Sequence, residues 1–237
     1  MKNLILAPSG FGKSTSIGKI EELGIKGLNP KTTFVISTRA RGLPFKNSHK
    51  DYKTINSPNE EGNRIITNSP SKIAKIIKFL ASKNSPFTDI VIDDYNFTMQ
   101  DYYMKNSLVG GFDTFKTIGR DQYSIYEVMN TAFEGPSKNL WVLAHPEITP
   151  DGVREKWVMK TVGKITRDSI TPEGNFDMIF LGLSFWDDIE NKVKKVFITN
   201  EHELVSGAKS WIGMFDSLEI PNDLGYIKNK INEYYKI

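Results

Sequence analysis

Apolar and polar positions along the chain follow two periods, and their order predicts an α/β fold. Short apolar runs, each of the length of a buried strand, occur in "NLIL", "TTFVIST", "DIVID" and "LWVLA". Between the second and third runs, "RIITNSP" predicts a further short strand, and "SPSKIAKIIKFLASK" carries apolar residues at helical spacing after a serine and a proline that suit a helix start. This alternation is typical of a parallel sheet with helices on both faces.

The second half of the chain changes character. "NFTMQDYYMKN" and "RDQYSIYEVMNTAF" predict two helices, joined by a mobile, glycine-bearing loop over residues 107–119. From about residue 156 the spacing favours strands, with "FDMIFLGLSF" and "KVKKVFITN" as an antiparallel pair around the turn "DDIEN", before a C-terminal helix. The predicted fold class is therefore α/β, a mainly parallel central sheet flanked by helices, with an antiparallel β-hairpin extension toward the C-terminus.

Composition narrows the classes of protein that fit. A chain of 237 residues with 39% hydrophobic content favours one domain, spanning residues 1–237. The absence of cysteine excludes disulfides and thiolate metal sites, and the net charge of +3 permits nucleic-acid contact without arguing for it. No apolar run is long enough to cross a membrane, so we expect a cytoplasmic protein without a membrane partner.

The stretch "APSGFGKST" has the chemistry of a phosphate-binding loop. It fits the pattern GxxxxGK[ST] with Ala7 at the first glycine, between a strand predicted over residues 3–6 and a helix predicted over residues 13–23. The glycines let backbone N–H groups form an anion-binding concavity, and the start of the helix adds positive potential. The alternative is a glycine-rich turn without a ligand. The predicted cofactor-binding residues are Pro8, Ser9, Gly10, Phe11, Gly12, Lys13, Ser14 and Thr15.

Individual side chains of this loop have separate expected roles. Lys13 would reach the β- and γ-phosphates of ATP and act in catalysis, while the Ser14 hydroxyl would ligate Mg²⁺. A loop of this kind predicts a carboxylate at the end of a second buried strand, which "DIVIDDY" supplies. We assign Asp93 to the metal and Asp94 to polarising the attacking water. The alternative is that these aspartates only cap the next helix.

A third polar position follows the strand predicted in "NLWVLAHPEITPDG". His145 comes where that strand leaves the sheet, so it is a candidate catalytic residue that senses the γ-phosphate. The alternative is a histidine that only bonds a nearby carbonyl group. Aromatic residues are dense between residues 95 and 126, and core packing explains them better than base stacking.

Taken in order, "APSGFGKST", "DIVIDDY" and "LWVLAHPE" followed by β-rich sequence resemble the RecA-like P-loop ATPases of bacteriophages, especially the Sak group of single-strand annealing proteins. The resemblance implies a RecA-like core that binds and hydrolyses ATP with Mg²⁺ in phage recombination or replication. It also implies single-stranded DNA and a single-strand DNA-binding protein as partners, a homo-oligomeric ring or filament, and the host cytoplasm as location.

The chain departs from that family at one position. RecA-type enzymes usually carry a catalytic glutamate after the second core strand, where this chain has Thr38, Arg39 and Arg41. The water would then be oriented by Asp94 or by Glu147, and binding of ATP is better supported than its hydrolysis.

DNA binding follows from the resemblance only. The loops that would face DNA are residues 107–119 and 146–169, and the second has nearly balanced charges. A different class of function is therefore kept, a P-loop switch or assembly factor with no DNA role. A small-molecule kinase is less supported because no arginine-rich lid is present.

Overall fold

Twelve strands and five α-helices form the part of the chain that the computed structural model describes, which is residues 1–57, 60–106, 108, 111–188 and 191–237. No helix within these ranges is long and apolar enough to cross a membrane. The strands are β1 (Lys2–Leu6), β2 (Thr33–Ser37), β3 (Thr54–Ile55), β4 (Arg64–Ile66), β5 (Asp89–Asp93), β6 (Asn139–Ala144), β7 (Pro146–Asp151), β8 (Arg154–Met159), β9 (Met178–Asp187), β10 (Lys192–Ile198), β11 (Val205–Ser206) and β12 (Glu219–Pro221). The helices are α1 (Ser48–Asp51), α2 (Pro70–Leu80), α3 (Phe97–Asn106), α4 (Phe112–Ala132) and α5 (Leu224–Tyr235).

One large sheet carries the fold, in the order β12-β10-β9-β1-β6-β5-β2-β4-β3. Every neighbouring pair from β9 to β3 is parallel, whereas β10 is antiparallel to both β9 and β12. The strands β7, β8 and β11 form a separate small sheet. The predicted α/β class is confirmed, since a mainly parallel central sheet is flanked by helices and carries antiparallel strands toward the C-terminus.

Both faces of the sheet are covered, which explains why its central strands are apolar throughout. Successive residues of a strand point to opposite faces, so Leu4 and Ile5 of β1 belong to two different clusters. On the first face α2 and α4 pack, contributing among others Ile77 and Ile125. On the second face α5 packs through Ile227 and its neighbours.

The helix predicted over residues 13–23 is wrong. The structure has two 3₁₀ turns there, Thr15–Ile17 and Glu21–Leu23, and Gly18 between them is extended. Close packing explains this, because a Cβ on Gly18 would lie 2.3 Å from the Phe45 ring and a Cβ on Gly27 would lie 2.3 Å from the carbonyl carbon of Gly18. The segment packs so closely against Phe45 and Gly27 that a regular helix does not fit there.

The mobile loop predicted over residues 107–119 is also wrong for most of its length, because α4 begins at Phe112. Gly119 is tolerated within the helix because it lets the backbone approach Ile165, whose Cγ2 would lie 2.9 Å from an added Cβ. Of the predicted loop residues that precede α4, three lie outside the described residues, namely Ser107, Val109 and Gly110.

The β-rich part begins ten residues earlier than predicted, with the hairpin of β7 and β8. The strands β9 and β10 are antiparallel, as predicted, but β9 is also a parallel partner of β1 and so belongs to the core sheet. Of the predicted turn between them, Ile189 and Glu190 lie outside the described residues.

Candidate functional site

The loop after β1 has a backbone shape that suits an anion. Gly10 and Gly12 adopt φ angles of 80° and 106°, a region that residues with a side chain rarely enter. Between them Phe11 is buried and packs on Phe197, with ring centroids 5.7 Å apart, which anchors the loop to the core. Turns of this kind direct successive N–H groups into one concavity. Because only the 3₁₀ turn Thr15–Ile17 follows, the expected contribution of a helix dipole is absent, and phosphate binding would rely on the loop and its side chains.

A cavity of about 420 Å³ lies against this loop. Its other wall comes from the segment after β2 and from the ends of β5 and β6. The carboxyl ends of neighbouring parallel strands meet at one edge of the sheet, which is where ligands bind in folds of this type. The lining residues are Ser9, Gly10, Gly12, Lys13, Ser14, Thr15, Arg41, Gly42, Pro44, Asp94, Phe97 and His145.

Lys13 is buried at the floor of this cavity. Its Nζ donates to the carbonyl oxygens of Ala7 at 2.6 Å and Pro8 at 3.1 Å, and lies 3.4 Å from Nδ1 of His145. Burial lowers the pKa of Lys13 to about 8, although the nearby carboxylates of Asp94 and Asp93 oppose that shift. The ammonium group is therefore still mostly charged at neutral pH.

Ser14 and Asp93 form the predicted pair beneath the loop. The Ser14 hydroxyl donates to Oδ1 of Asp93 at 2.7 Å, and Asp93 is only 3% exposed. Burial and the neighbouring Asp94 raise the pKa of Asp93 to about 6, against the hydrogen bond from Ser14. Both oxygens are hard donors that suit Mg²⁺. Within the described ranges no group of three or more acidic, histidine or cysteine side chains could hold a metal, so such an ion would take its other ligands from phosphate and water, as Mg²⁺ commonly does.

Asp94 occupies a constrained turn at the end of β5. Its φ of 63° is uncommon for a residue with a side chain, and the Thr38 hydroxyl donates to its carbonyl oxygen at 2.7 Å. Its carboxylate pairs with Arg41 and lies 3.6 Å from Nε2 of His145. Burial acts to raise the pKa of Asp94, but the hydrogen bond from His145 and the charge of Arg41 hold it below its usual value.

Hydrogen bonds to the buried side chain of Asn96 hold the backbone of His145 in place. The side chain of Asn96, which is fully buried, accepts from the His145 amide at 2.6 Å and donates to the carbonyl of Lys160 at 2.5 Å. The ring packs edge-on against Phe97, with centroids 6.3 Å apart. The polar contacts described for the ring are Lys13 and Asp94, both in the cavity, rather than a carbonyl group.

Most of the predicted residues line the cavity, with four exceptions, of which Asp93 is linked to it through the hydrogen bond from Ser14. Glu147 lies on β7, does not line the cavity, and pairs with Arg167 at 3.3 Å. Pro8 is exposed and contributes its carbonyl to Lys13, while Phe11 turns toward a second cavity.

Sequence reasoning missed several residues that shape the site. Arg41 lines the cavity although the sequence marks it only as a replacement for an expected glutamate. Asn96 carries no signal that motif reading could use. Neither does Asn222, which donates to the Gly12 carbonyl at 3.4 Å from the far end of the chain.

A second cavity of about 900 Å³ adjoins the first, since Gly12 and Thr15 line both. Its walls are the turns after the loop and residues of β10 and β12. Asn222 borders it and is 8% exposed, and its Oδ1 is buried without a hydrogen-bond partner. A buried acceptor of this kind is free to bond a donor from a water or a ligand.

No protein-family model matches the chain, and no curated protein does either. Solved structures do match. One of them is a KaiC-like protein from the hyperthermophilic archaeon Pyrococcus horikoshii, with 12% identity and a TM-score of 0.41 over 83% of this chain and 76% of that protein. At that level of similarity the likeness carries no statement about activity.

Proposed function

We propose that the protein binds ATP together with Mg²⁺ through the loop after β1, and hydrolyses it. The observation that carries this proposal is the cavity of about 420 Å³ into which Lys13, Ser14, Asp94 and His145 converge beside the glycine-bearing loop. Phosphate chains are bound by cations, hydroxyl groups and backbone amides in such an arrangement.

The two adjoining cavities suit the two halves of a nucleotide. The triphosphate would occupy the smaller cavity beside Lys13, and the nucleoside the larger one beyond Thr15. Asn222 Oδ1 would accept a hydrogen bond from an amino group of the base.

The chain's own residues account for binding better than for turnover. Lys13 would exchange its carbonyl contacts for phosphate oxygens, and Ser14 with Asp93 would hold the Mg²⁺. A bound Mg²⁺ supplies neutralisation of phosphate charge. Asp94, although paired with Arg41, has a carboxylate in the cavity that can accept a hydrogen bond from water, whereas Glu147 does not line the cavity.

The decisive experiment compares nucleotide binding by the parent, Lys13→Ala and Lys31→Ala. Lys31 is an exposed lysine before β2 and serves as the matched control. We expect isothermal titration with ATP and Mg²⁺ to show binding by the parent and the control, and loss of at least about a hundredfold in affinity for Lys13→Ala. Equal affinity of the parent and Lys13→Ala would contradict the proposal.

The resemblance to phage annealing proteins extends the proposal to single-stranded DNA. Candidate phosphate contacts are Lys156, Lys160 and Lys164, which are exposed on or beyond the β7–β8 hairpin. Binding of labelled oligo-dT at two salt concentrations, with and without ATP, tests this, because phosphate contacts release counterions and make affinity fall with salt.

An ATP-dependent protein switch without a DNA role is the second candidate. The observation that favours it is that two cations of the same region are already paired, Arg154 with Glu201 and Arg167 with Glu147. Absence of oligo-dT binding under every condition would support this switch. Sedimentation velocity with and without ATP would then test whether the nucleotide controls assembly of a ring or filament.

A further inference from the structure

Arg41 is the one arginine among the described residues that line the cavity of about 420 Å³ beside Lys13, here called the phosphate cavity. Its side chain is 58% exposed, and one guanidinium nitrogen, Nη2, bonds to the buried carboxylate of Asp94. A guanidinium group has five N–H donors in a planar fork. A single contact to Asp94 therefore leaves donors on a group that already borders the cavity.

The backbone of Arg41 is fixed by neighbours that have no access to the cavity themselves. Its carbonyl oxygen accepts a hydrogen bond from Arg64, a buried residue whose Nε also donates to Ser37 at 3.0 Å. Two residues further on, Leu43 is buried and its carbonyl accepts from Ser48 at 2.9 Å. These contacts hold the backbone of Arg41 beside the cavity, and such support is what a ligand-binding residue requires.

Arg41 and Lys13 both line the phosphate cavity, so each charge affects the other. Burial lowers the pKa of Lys13 in the first place, and the positive charge of Arg41 lowers it further. Two cations that border one cavity repel each other, and an anion between them removes that repulsion. Asp94 supplies one negative charge beside these two cations.

Arg39 shows what an arginine of the same segment looks like when it has a structural role. Its guanidinium lies 3.8 Å from the centroid of the Phe97 ring and pairs with Asp101 at 3.1 Å. Arg39 does not line the cavity. The two arginines therefore differ in whether their free donors face the place where a phosphate would lie.

We propose that Arg41 binds the γ-phosphate of ATP from within the same chain, with Asp94 and Arg64 as its positioning residues. This inference rests on the proposed function, since it assigns a residue to the same site. It predicts that the protein distinguishes ATP from ADP, and that Arg41 is responsible for most of that difference.

The experiment measures affinities for ATP and for ADP, each with Mg²⁺, in the parent, Arg41→Ala, Arg41→Lys and the control Arg39→Ala. We expect Arg41→Ala to bind ATP about ten- to a hundredfold more weakly, the scale of a charge-assisted contact, with its ADP affinity changed less than about threefold. Arg41→Lys should recover part of the loss, because it restores the charge without the fork. Arg39→Ala should bind both nucleotides like the parent.

The outcomes separate this inference from the proposed function. If Arg41→Ala loses affinity for ATP and ADP equally, or for neither, Arg41 only supports the site or is irrelevant to it, and the inference is overturned. The same holds if the parent binds both nucleotides equally well. If the parent binds neither nucleotide, the proposed function itself fails. Thermal unfolding of each variant checks folding, and Arg41→Lys replaces Arg41→Ala should the latter not fold.

Discussion

The two faces of the central sheet are covered in different ways. On the first face, α2 and α4 cover the strands with regular apolar packing. On the second, α5 packs together with the irregular segment after the phosphate loop. Three glycines make close contacts there, since Gly27 approaches both Gly18 and Gly225. The loop that would bind the nucleotide depends on this second face. Its support therefore comes from close backbone contacts and buried polar groups, rather than from the long helix that usually follows such a loop.

The largest expected effect comes from filling one of these close backbone contacts. Gly27→Ala would put a Cβ 2.3 Å from the carbonyl carbon of Gly18, at a φ of 64°. Gly24 is the matched control, because its φ is 66° and nothing lies within 4 Å of its Cβ position. We expect the free energy of unfolding in urea to fall by about 3 kcal/mol or more for Gly27→Ala and by about 1 kcal/mol for Gly24→Ala. Equal losses would mean that close packing does not hold this face together.

The second prediction removes the main polar clamp of the same face. Asp223 is buried at the start of α5, and its carboxylate accepts from the amides of Lys26, Gly27 and Gly225 at 2.7, 2.9 and 2.8 Å. Asp223→Ala should lower the free energy of unfolding by about 3 kcal/mol, because three amides lose their acceptor. The control Asp216→Ala removes an exposed carboxylate and should cost less than about 0.5 kcal/mol. A small effect at Asp223 would contradict the clamp.

The third prediction concerns pH at the cavity. The pKa of Asp93 is about 6 in the folded protein, above the ordinary value of 3.8, so the folded state binds the extra proton between these values. Stability from this group is therefore greatest below pH 3.8 and decreases as the pH rises to about 6, by about 2 to 3 kcal/mol. Denaturant unfolding of the parent and Asp93→Asn at several pH values isolates the effect. If the difference between them is constant from pH 4 to 7, the burial of a carboxylate there carries no such cost.

The smallest effect is expected on the first face. Ile77 is fully buried in α2, and Ile77→Val should lower the free energy of unfolding by about 1 kcal/mol. Because Ile77 is not among the residues that line the cavity, we expect ATP affinity to stay at the parent's value. A loss of affinity in isothermal titration would show that the two faces are not independent.

The pattern of apolar residues along the chain predicts the central strands correctly. The apolar runs of β1, β2, β5 and β6 indicated central parallel strands, because burial on both faces requires them to be apolar. The same reasoning predicts the glycines of the loop and the residue after β5 as site residues, because each belongs to a motif of a few consecutive residues; their roles stay predictions.

The errors arose where distant parts of the chain meet. The helix predicted after the loop is prevented by contacts of Gly18 with Phe45 and Gly27, which periodicity cannot reveal. Glu147 is predicted as an alternative to Asp94 for orienting the water, but it lies on β7 outside the cavity, where it pairs with Arg167. Arg41 takes a place at the cavity through a bond to Asp94, 53 residues away. Pairings of this kind depend on tertiary structure.

Asn96 joins the cavity to the small sheet mechanically. It is fully buried, and it bonds both the His145 amide at the end of β6 and the Lys160 carbonyl beyond β8, while the Lys160 amide in turn donates to the His145 carbonyl at 2.9 Å. The backbone at His145 and the backbone at Lys160 are therefore joined by the buried side chain of Asn96. A displacement of the His145 backbone must therefore break these bonds or move Lys160 with it. We expect the end of the hairpin at Lys160 and the wall of the cavity at His145 to move together.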